Sequence, residues 1–225
     1  MNNNNEIIEY YNNIAEDYDC SRFENSYGKY VDRQERIVLD KLNINRQNAL
    51  DLPCGTGRLL NYADYGCDAS ENMLKVAKSH WKEKHLTCRD ARNLPYEDET
   101  FDTVITMHFL MHLDKTTTFE IAKEIHRVLR PGGRWIMDLP SLKRRRLTNK
   151  KNNGWHGSNS MNAVDVKHLL SNHFYINSTH GIMLFPIHRI PSVLRKPLCK
   201  LDYHLSQVAG IKEWSSYIIY ELWKS

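Results

Sequence analysis

Apolar residues recur along the chain with two alternating periods. From Glu6 to Asp19, Ile7, Ile8, Tyr10, Tyr11, Ile14, Ala15 and Tyr18 fall at mostly helical spacing, which predicts a short amphipathic helix. A second helix is predicted over Tyr27 to Leu42, with Tyr30, Val31, Ile37, Val38 and Leu42 facing inward, ahead of a polar turn from Asn43 to Asn48. A strand starts at Ala49 and breaks into a glycine loop, after which Arg58, Leu59 and Leu60 are expected to open a helix. Cys67 and Asp68 close a second strand, and Ser70, Glu71 and Asn72 form a helix start before Met73, Leu74, Val76 and Ala77. His85 to Asp90 reads as a third strand and Phe101 to Met107 as the strongest strand of the chain. Phe119 to Leu129 is helical, and Arg130-Pro131-Gly132-Gly133 is expected to end it before a strand from Arg134 to Leu139.

Beyond Leu139 the pattern loosens. Lys143 to Gly157 has no hydrophobic period, and Lys143, Arg144, Arg145, Arg146, Lys150 and Lys151 stand among Asn and Gly, so a mobile basic loop is expected. Ala163 to Leu170 suggests a helix. Phe174 to Leu184 and Ser216 to Trp223 suggest two strands that pair antiparallel, separated by Pro186, Pro191, Pro197 and a helical Leu198 to Val208. Alternating strands and helices imply right-handed crossovers, a mainly parallel sheet and a ligand beyond the carboxyl ends of the strands. The expected fold is α/β and Rossmann-like, a seven-stranded sheet with helices on both faces and an antiparallel last pair. One domain over 1–225 is expected, with amino-terminal cap helices at 1–42, a cofactor-binding core at 49–140, the basic mobile loop at 141–160 and a substrate-side insertion at 185–210.

Composition adds limits. The 225 residues are 41% hydrophobic and 26% charged with a net charge of +4, too mild to demand nucleic acid or an anionic membrane. Five scattered cysteines without a C-x-x-C pair argue against a disulfide framework and fit a reducing compartment. No apolar run is long enough to span a bilayer, and the asparagine-rich start lacks signal-peptide regions, so a soluble cytoplasmic protein is expected.

The chemistry concentrates at Leu50-Asp51-Leu52-Pro53-Cys54-Gly55-Thr56-Gly57-Arg58. Gly55 and Gly57 let the backbone turn sharply and approach a ligand closely. A dinucleotide fingerprint would need a third glycine where Leu60 stands, and no G-x-x-x-x-G-K-[ST] motif exists for a nucleoside triphosphate.

Together with Asp68-Ala69-Ser70, Asp90-Ala91-Arg92-Asn93-Leu94-Pro95, Phe101-Asp102-Thr103-Val104-Ile105 and Glu124 to Gly133, this loop resembles the class I S-adenosylmethionine-dependent methyltransferases, specifically the small-molecule, ubiquinone/menaquinone-methyltransferase-like type 11 branch. The resemblance implies S-adenosylmethionine as cofactor and, as its binding residues, Tyr11, Tyr18, Arg22, Asp51, Pro53, Gly55, Gly57, Asp68, Ala69, Met73, Asp90, Ala91 and Met107. In this assignment Asp51 and loop carbonyls accept from the ammonium, Asp68 from the ribose diol and Asp90 from the adenine amino group; Tyr11, Tyr18 and Arg22 belong to an amino-terminal helix closing over the cofactor. For Asp68 and Asp90 a cap or turn acid is the other reading. Eleven positions from Gly57 to Asp68 are fewer than the family usually has, so the first helix or second strand is expected to be short.

A sulfonium already activates its methyl group, so the enzyme's task is to align a nucleophile and, where needed, remove its proton. His108 and His112 follow the fourth strand and are the candidate catalytic bases, with packing or capping as the alternative. No metal ligand set is expected. The activity implied is methyl transfer to an oxygen or nitrogen of a small molecule. The alternatives are an RNA or other anionic acceptor held by the basic 143–151 stretch, and a non-catalytic cofactor-binding or scaffold protein. Thr106-Met107-His108-Phe109 stands where exocyclic-amine nucleobase methyltransferases carry N/D-P-P-Y/F, which disfavours that class.

Overall fold

The computed structural model describes residues 3–147 and 159–225. Seven strands form one sheet: β1 (Ala49–Asp51), β2 (Tyr65–Asp68), β3 (His85–Cys88), β4 (Phe101–Thr106), β5 (Leu129–Pro140), β6 (Phe174–Ile182) and β7 (Tyr217–Lys224), in the order β3-β2-β1-β4-β5-β7-β6. The first five pair in parallel, and β7 lies antiparallel to both β5 and β6. The expected Rossmann-like sheet with its antiparallel last pair is therefore present.

Strand side chains alternate between two buried faces, as a covered sheet requires. Val104, Trp135, Met137 and Tyr220 point into one core with Ile121, Ala122 and Ile125 of α5 (Lys115–Val128) and Val166 and Leu170 of α7 (Ala163–Leu170). Ile105, Ile136 and Ile219 point into the other, against Val31, Val38 and Leu39 of α3 (Ser26–Lys41) and Cys199 and Tyr203 of α8 (Ser192–Ser206). The Asn25 side chain caps α3, and Ser70 caps α4 (Glu71–His80), as its sequence indicates.

Five local expectations are corrected. The first helix is two, α1 (Asn3–Ile14) and α2 (Tyr18–Phe23), separated by a turn. No helix follows the glycine loop: residues 55–61 are successive turns, closed by Gly57 N–H to Cys54 O and Leu60 N–H to Gly57 O. Eleven positions leave room for turns and a strand but not for a helix as well. Residues 129–133 belong to β5, where Gly132, at φ 72°, takes up a register shift against β4. Residues 142–147 of the expected basic loop form α6 (Leu142–Leu147), with Lys143 paired to Glu213; 148–158 lie outside the described residues. Finally, α8 begins six residues earlier than expected and contains Pro197 in its second turn.

Candidate cofactor and acceptor site

The strand ends dictate where the site lies. Asp51 ends β1, Asp68 ends β2, and Met107 and His108 follow β4, so parallel pairing brings all four to one edge. There they line a cavity, together with the glycine loop, Asp90 and Ala91, and Tyr11 and Tyr18 from the amino-terminal helices.

The glycine loop is tied to the acid after it. Asp68 Oδ2 accepts from the Gly55 amide and Oδ1 from the Ser70 amide, each at 2.8 Å. Burial lifts Asp68 to about 6 against the opposing pull of these amides. Gly55 holds φ +53°, and a Cβ built there meets no atom within 4 Å, so a ligand can approach its backbone. At Gly57, φ +89°, a Cβ would come within 2.7 Å of Trp81, so that glycine is required by the loop's own packing.

Asp51 is wholly buried and its Oδ2 has no hydrogen-bond partner among the described residues. Burial, with Asp68 adding to it, pushes its carboxyl up to about 8 despite the nearby Arg58. An orphaned acid beside a second buried acid makes a place for a cation. Asp90 is half-exposed and already engaged: Arg92 grips it with two guanidinium hydrogen bonds of 3.0 and 2.6 Å while the Arg92 amide donates to it at 2.9 Å. It is a turn acid at the cavity rim, with lone pairs still available.

Two side chains absent from the sequence-level site residues fasten the amino-terminal cap. Asn12 Oδ1 accepts from Ser70 Oγ at 2.7 Å and from the Asn72 amide at 3.2 Å, and Asp19 accepts from Thr56 Oγ1 at 2.7 Å. Tyr11 and Tyr18 are thus held over the cavity, their rings edge-to-face at 5.9 Å. Arg22 is placed differently from its sequence-level role. Its guanidinium lies 5.9 Å from the Tyr27 ring, outside the cavity lining.

His108 stands at φ +56°, a strained turn for a residue with a Cβ, and Asp138 Oδ1 steadies it by accepting from its amide at 2.6 Å. Its Nε2 lies 2.5 Å from Glu35 Oε1 and its Nδ1 3.6 Å from Asp138 Oδ2. Glu35 also meets Arg58 at 2.8 Å, and Arg58 meets Asp32 at 2.7 Å. Burial works to raise Glu35, yet His108 and Arg58 hold it down at about 2. Glu35, His108 and Asp138 each turn a buried ligand atom to within 4.8 Å of the others, and both Glu35 oxygens, both His108 ring nitrogens and Asp138 Oδ2 have no hydrogen-bond partner among the described residues. His112 lies in a single 3-10 turn and also lines the cavity, its ring 6.3 Å from that of Tyr11.

Glu35 had a sequence signal, since Gln34 and Glu35 fall on the inward stripe of α3 between Val31 and Val38. Asp138 is an acid inside the apolar run from Trp135 to Leu139.

Residues 50–137 match a family model described as a methyltransferase domain. Over this stretch the chain resembles the class I S-adenosylmethionine-dependent methyltransferases of the type 11 branch. It is 32% identical over 150 residues to a demethylmenaquinone methyltransferase of Thermotoga maritima, covering 62% of this chain and 64% of that one. The matched stretch is thus less than two thirds of either length. Among solved structures, an S-adenosylmethionine-dependent methyltransferase of the same organism, described as a possible histamine N-methyltransferase, superposes with a TM-score of 0.72 at 16% identity, covering 98% and 99% of the two chains. The [4+2]-cyclase SpnF also shares the fold, with a TM-score of 0.61 at 18% identity, covering 90% and 83%. S-adenosylmethionine is the cofactor the family implies, and the orphaned Asp51 oxygen and open Gly55 backbone fit a cationic nucleoside of that kind.

Proposed function

We propose that this methyltransferase transfers a methyl group to an oxygen or nitrogen of a small, apolar, ring-containing acceptor. The single observation that carries this is the make-up of the cavity, which is lined both by the buried acids Asp51 and Asp68 and by the rings of Tyr11, Tyr18, Phe23, Phe109 and His112. The acids suit a cationic cofactor. The rings suit a flat apolar partner, which gains from burial and from offset or edge contacts.

In this reading Asp51 accepts from the cofactor's ammonium, Asp68 keeps its loop amides and accepts from the ribose diol, and Asp90 with the Ala91 amide faces the adenine edge. Gly55 and Pro53 give the backbone access, with Ala69, Met73 and Met107 as apolar walls. Bound there, S-adenosylmethionine supplies an electrophilic methyl group. The protein's own contribution is alignment and exclusion of water, with Tyr11 and Tyr18 covering the site. His112, on the cavity wall, is the base that takes the acceptor's proton. His108, with both ring nitrogens facing carboxylates, is a positioning residue that fixes the turn after β4.

SpnF has this fold and bears the name of a cyclase, so product formation is the deciding test. The purified chain is incubated with S-adenosylmethionine and a panel of phenols, quinols, aromatic amines and a short RNA. S-adenosylhomocysteine should form with at least one small ring acceptor and not with the RNA. Cofactor binding without turnover on any acceptor would instead support a non-catalytic role.

A further inference from the structure

Between Phe185 and Lys212 the chain carries five basic residues, Arg189, Arg195, Lys196, Lys200 and Lys212, and a single acid, Asp202. That acid is turned inward: Tyr30 Oη donates to it from α3 and the Phe185 amide donates to it at 2.6 Å. Cys199, Tyr203 and Ser206 are buried on the same inner side of α8. The helix is therefore fully anchored by one face.

Its other face is apolar and uncovered. Val193, Pro197 and Leu201 recur every four residues with Leu194 beside them, and Val193, Leu194 and Leu201 are 82%, 53% and 51% exposed. Lys196, Lys200 and His204 recur every four residues along the margin, all exposed. Exposed Val208, Ile211 and Trp214 continue the apolar surface of this insertion toward β7. A lone exposed leucine means little, but an apolar stripe bordered by cations is the kind of surface that marks an interaction site. No helix among the described residues is long and apolar enough to cross a membrane, so the stripe is not part of a span.

We infer that the outer face of α8 lies on an anionic lipid surface, with Val193, Leu194, Pro197 and Leu201 entering the acyl boundary and Lys196 and Lys200 reaching the lipid phosphates. Short apolar side chains flanked by long cationic ones match a bilayer interface, where lysine stems lie along hydrocarbon while their ammonium groups meet headgroups. The charge pattern selects the partner: the exposed face of α8 offers cations and no acid. The insertion leaves β6 after Ile182, which pairs with Tyr217 as Pro140 does, at the same end of the strands as the cavity. This inference stands independently of the methyl acceptor.

Vesicle co-sedimentation of the full chain tests it, using phosphatidylcholine vesicles with and without phosphatidylglycerol. The wild type should sediment with the anionic vesicles, be released by high salt, and stay in solution with the neutral ones. Val193→Asp with Leu201→Asp should abolish binding, and Lys196→Glu with Lys200→Glu should weaken it at least about tenfold, since each basic residue near an anionic surface contributes about fivefold. Both pairs are exposed, so circular dichroism and thermal melts should match wild type; Val193→Ser with Leu201→Ser is the milder control. Absence of binding, equal binding to neutral vesicles, or binding unchanged by the aspartates would overturn the inference. So would a wild-type dimer that the aspartates split, which would assign the face to a second copy.

Discussion

Asp68 Oδ2 accepts a hydrogen bond from the Gly55 amide at 2.8 Å, joining the acid at the end of β2 to the loop after β1. Because the same carboxylate also holds the Ser70 amide, it sets the loop and the start of α4 at once. Asp68→Ala strips both amides of their acceptor and the proposed ribose contact of its partner. Cofactor affinity by calorimetry should fall about 10- to 100-fold, the worth of one or two charge-assisted hydrogen bonds, with Asp68→Asn intermediate.

Burial of Asp51 gives a signed dependence on pH. In the free protein its carboxyl titrates at about 8, so below that value it is protonated and must release its proton to accept from an ammonium. Affinity for S-adenosylmethionine should therefore rise between pH 6 and 8, by at most about tenfold per unit for one proton. For stability the sign is opposite. As pH rises from 3.8 toward 8 the unfolded Asp51 ionises while the folded one cannot, so stability falls, and bound cofactor should restore it. Thermal shift on cofactor addition should be larger at pH 8 than at pH 6.

Sheet class, the α4 cap, α7 and the glycine turn are legible because each rests on a local signal: a two-residue period, Ser70 before Glu71, or Gly55 and Gly57 shortly after a strand. The missing helix after Gly57 was foreshadowed only by the short spacing to Asp68. The pairings of Glu35 with His108, Asn12 with Ser70 and Asp19 with Thr56 join residues 73, 58 and 37 positions apart, and no local pattern encodes such partners. Arg22 sits one turn beyond Tyr18 on the same helix α2, and while Tyr18 lines the cavity Arg22 lies beside the Tyr27 ring, a difference that spacing alone does not assign.

Glu35 is expected to matter for folding more than for chemistry. Glu35→Gln removes the buried carboxylate that faces Arg58 and the His108 ring and should cost on the order of 3–5 kcal/mol, read as a fall in Tm of roughly 10 °C. Held near 2 against an ordinary 4.5, Glu35 stabilises the protein fully above pH 4.5 and loses that contribution as pH falls through 2. The acid limb of the stability curve should flatten in Glu35→Gln.

The cap should act on residence time. Asn12→Ala and Asp19→Ala each remove a contact that fastens the amino-terminal helices to α4 or the glycine loop, and should speed cofactor release about fivefold while leaving Tm little changed. Stopped-flow dissociation of S-adenosylmethionine measures this directly.

The two histidines separate by readout. His112→Ala should cut turnover at least about 100-fold with cofactor affinity intact, as loss of a general base does, whereas His108→Ala should lower Tm along with activity. Loss of turnover in His108→Ala at unchanged Tm, with His112→Ala still active, would move the catalytic role to His108.

Direct titration of the full chain with S-adenosylmethionine is the most decisive single measurement. One cofactor per chain should bind, S-adenosylhomocysteine should displace it, and Gly55→Val, whose side chain would occupy the open side of the loop, should lose binding while its thermal melt stays cooperative. Absence of binding in the wild type, or equal affinity in Gly55→Val, would contradict the assignment of this cavity to the methyl donor.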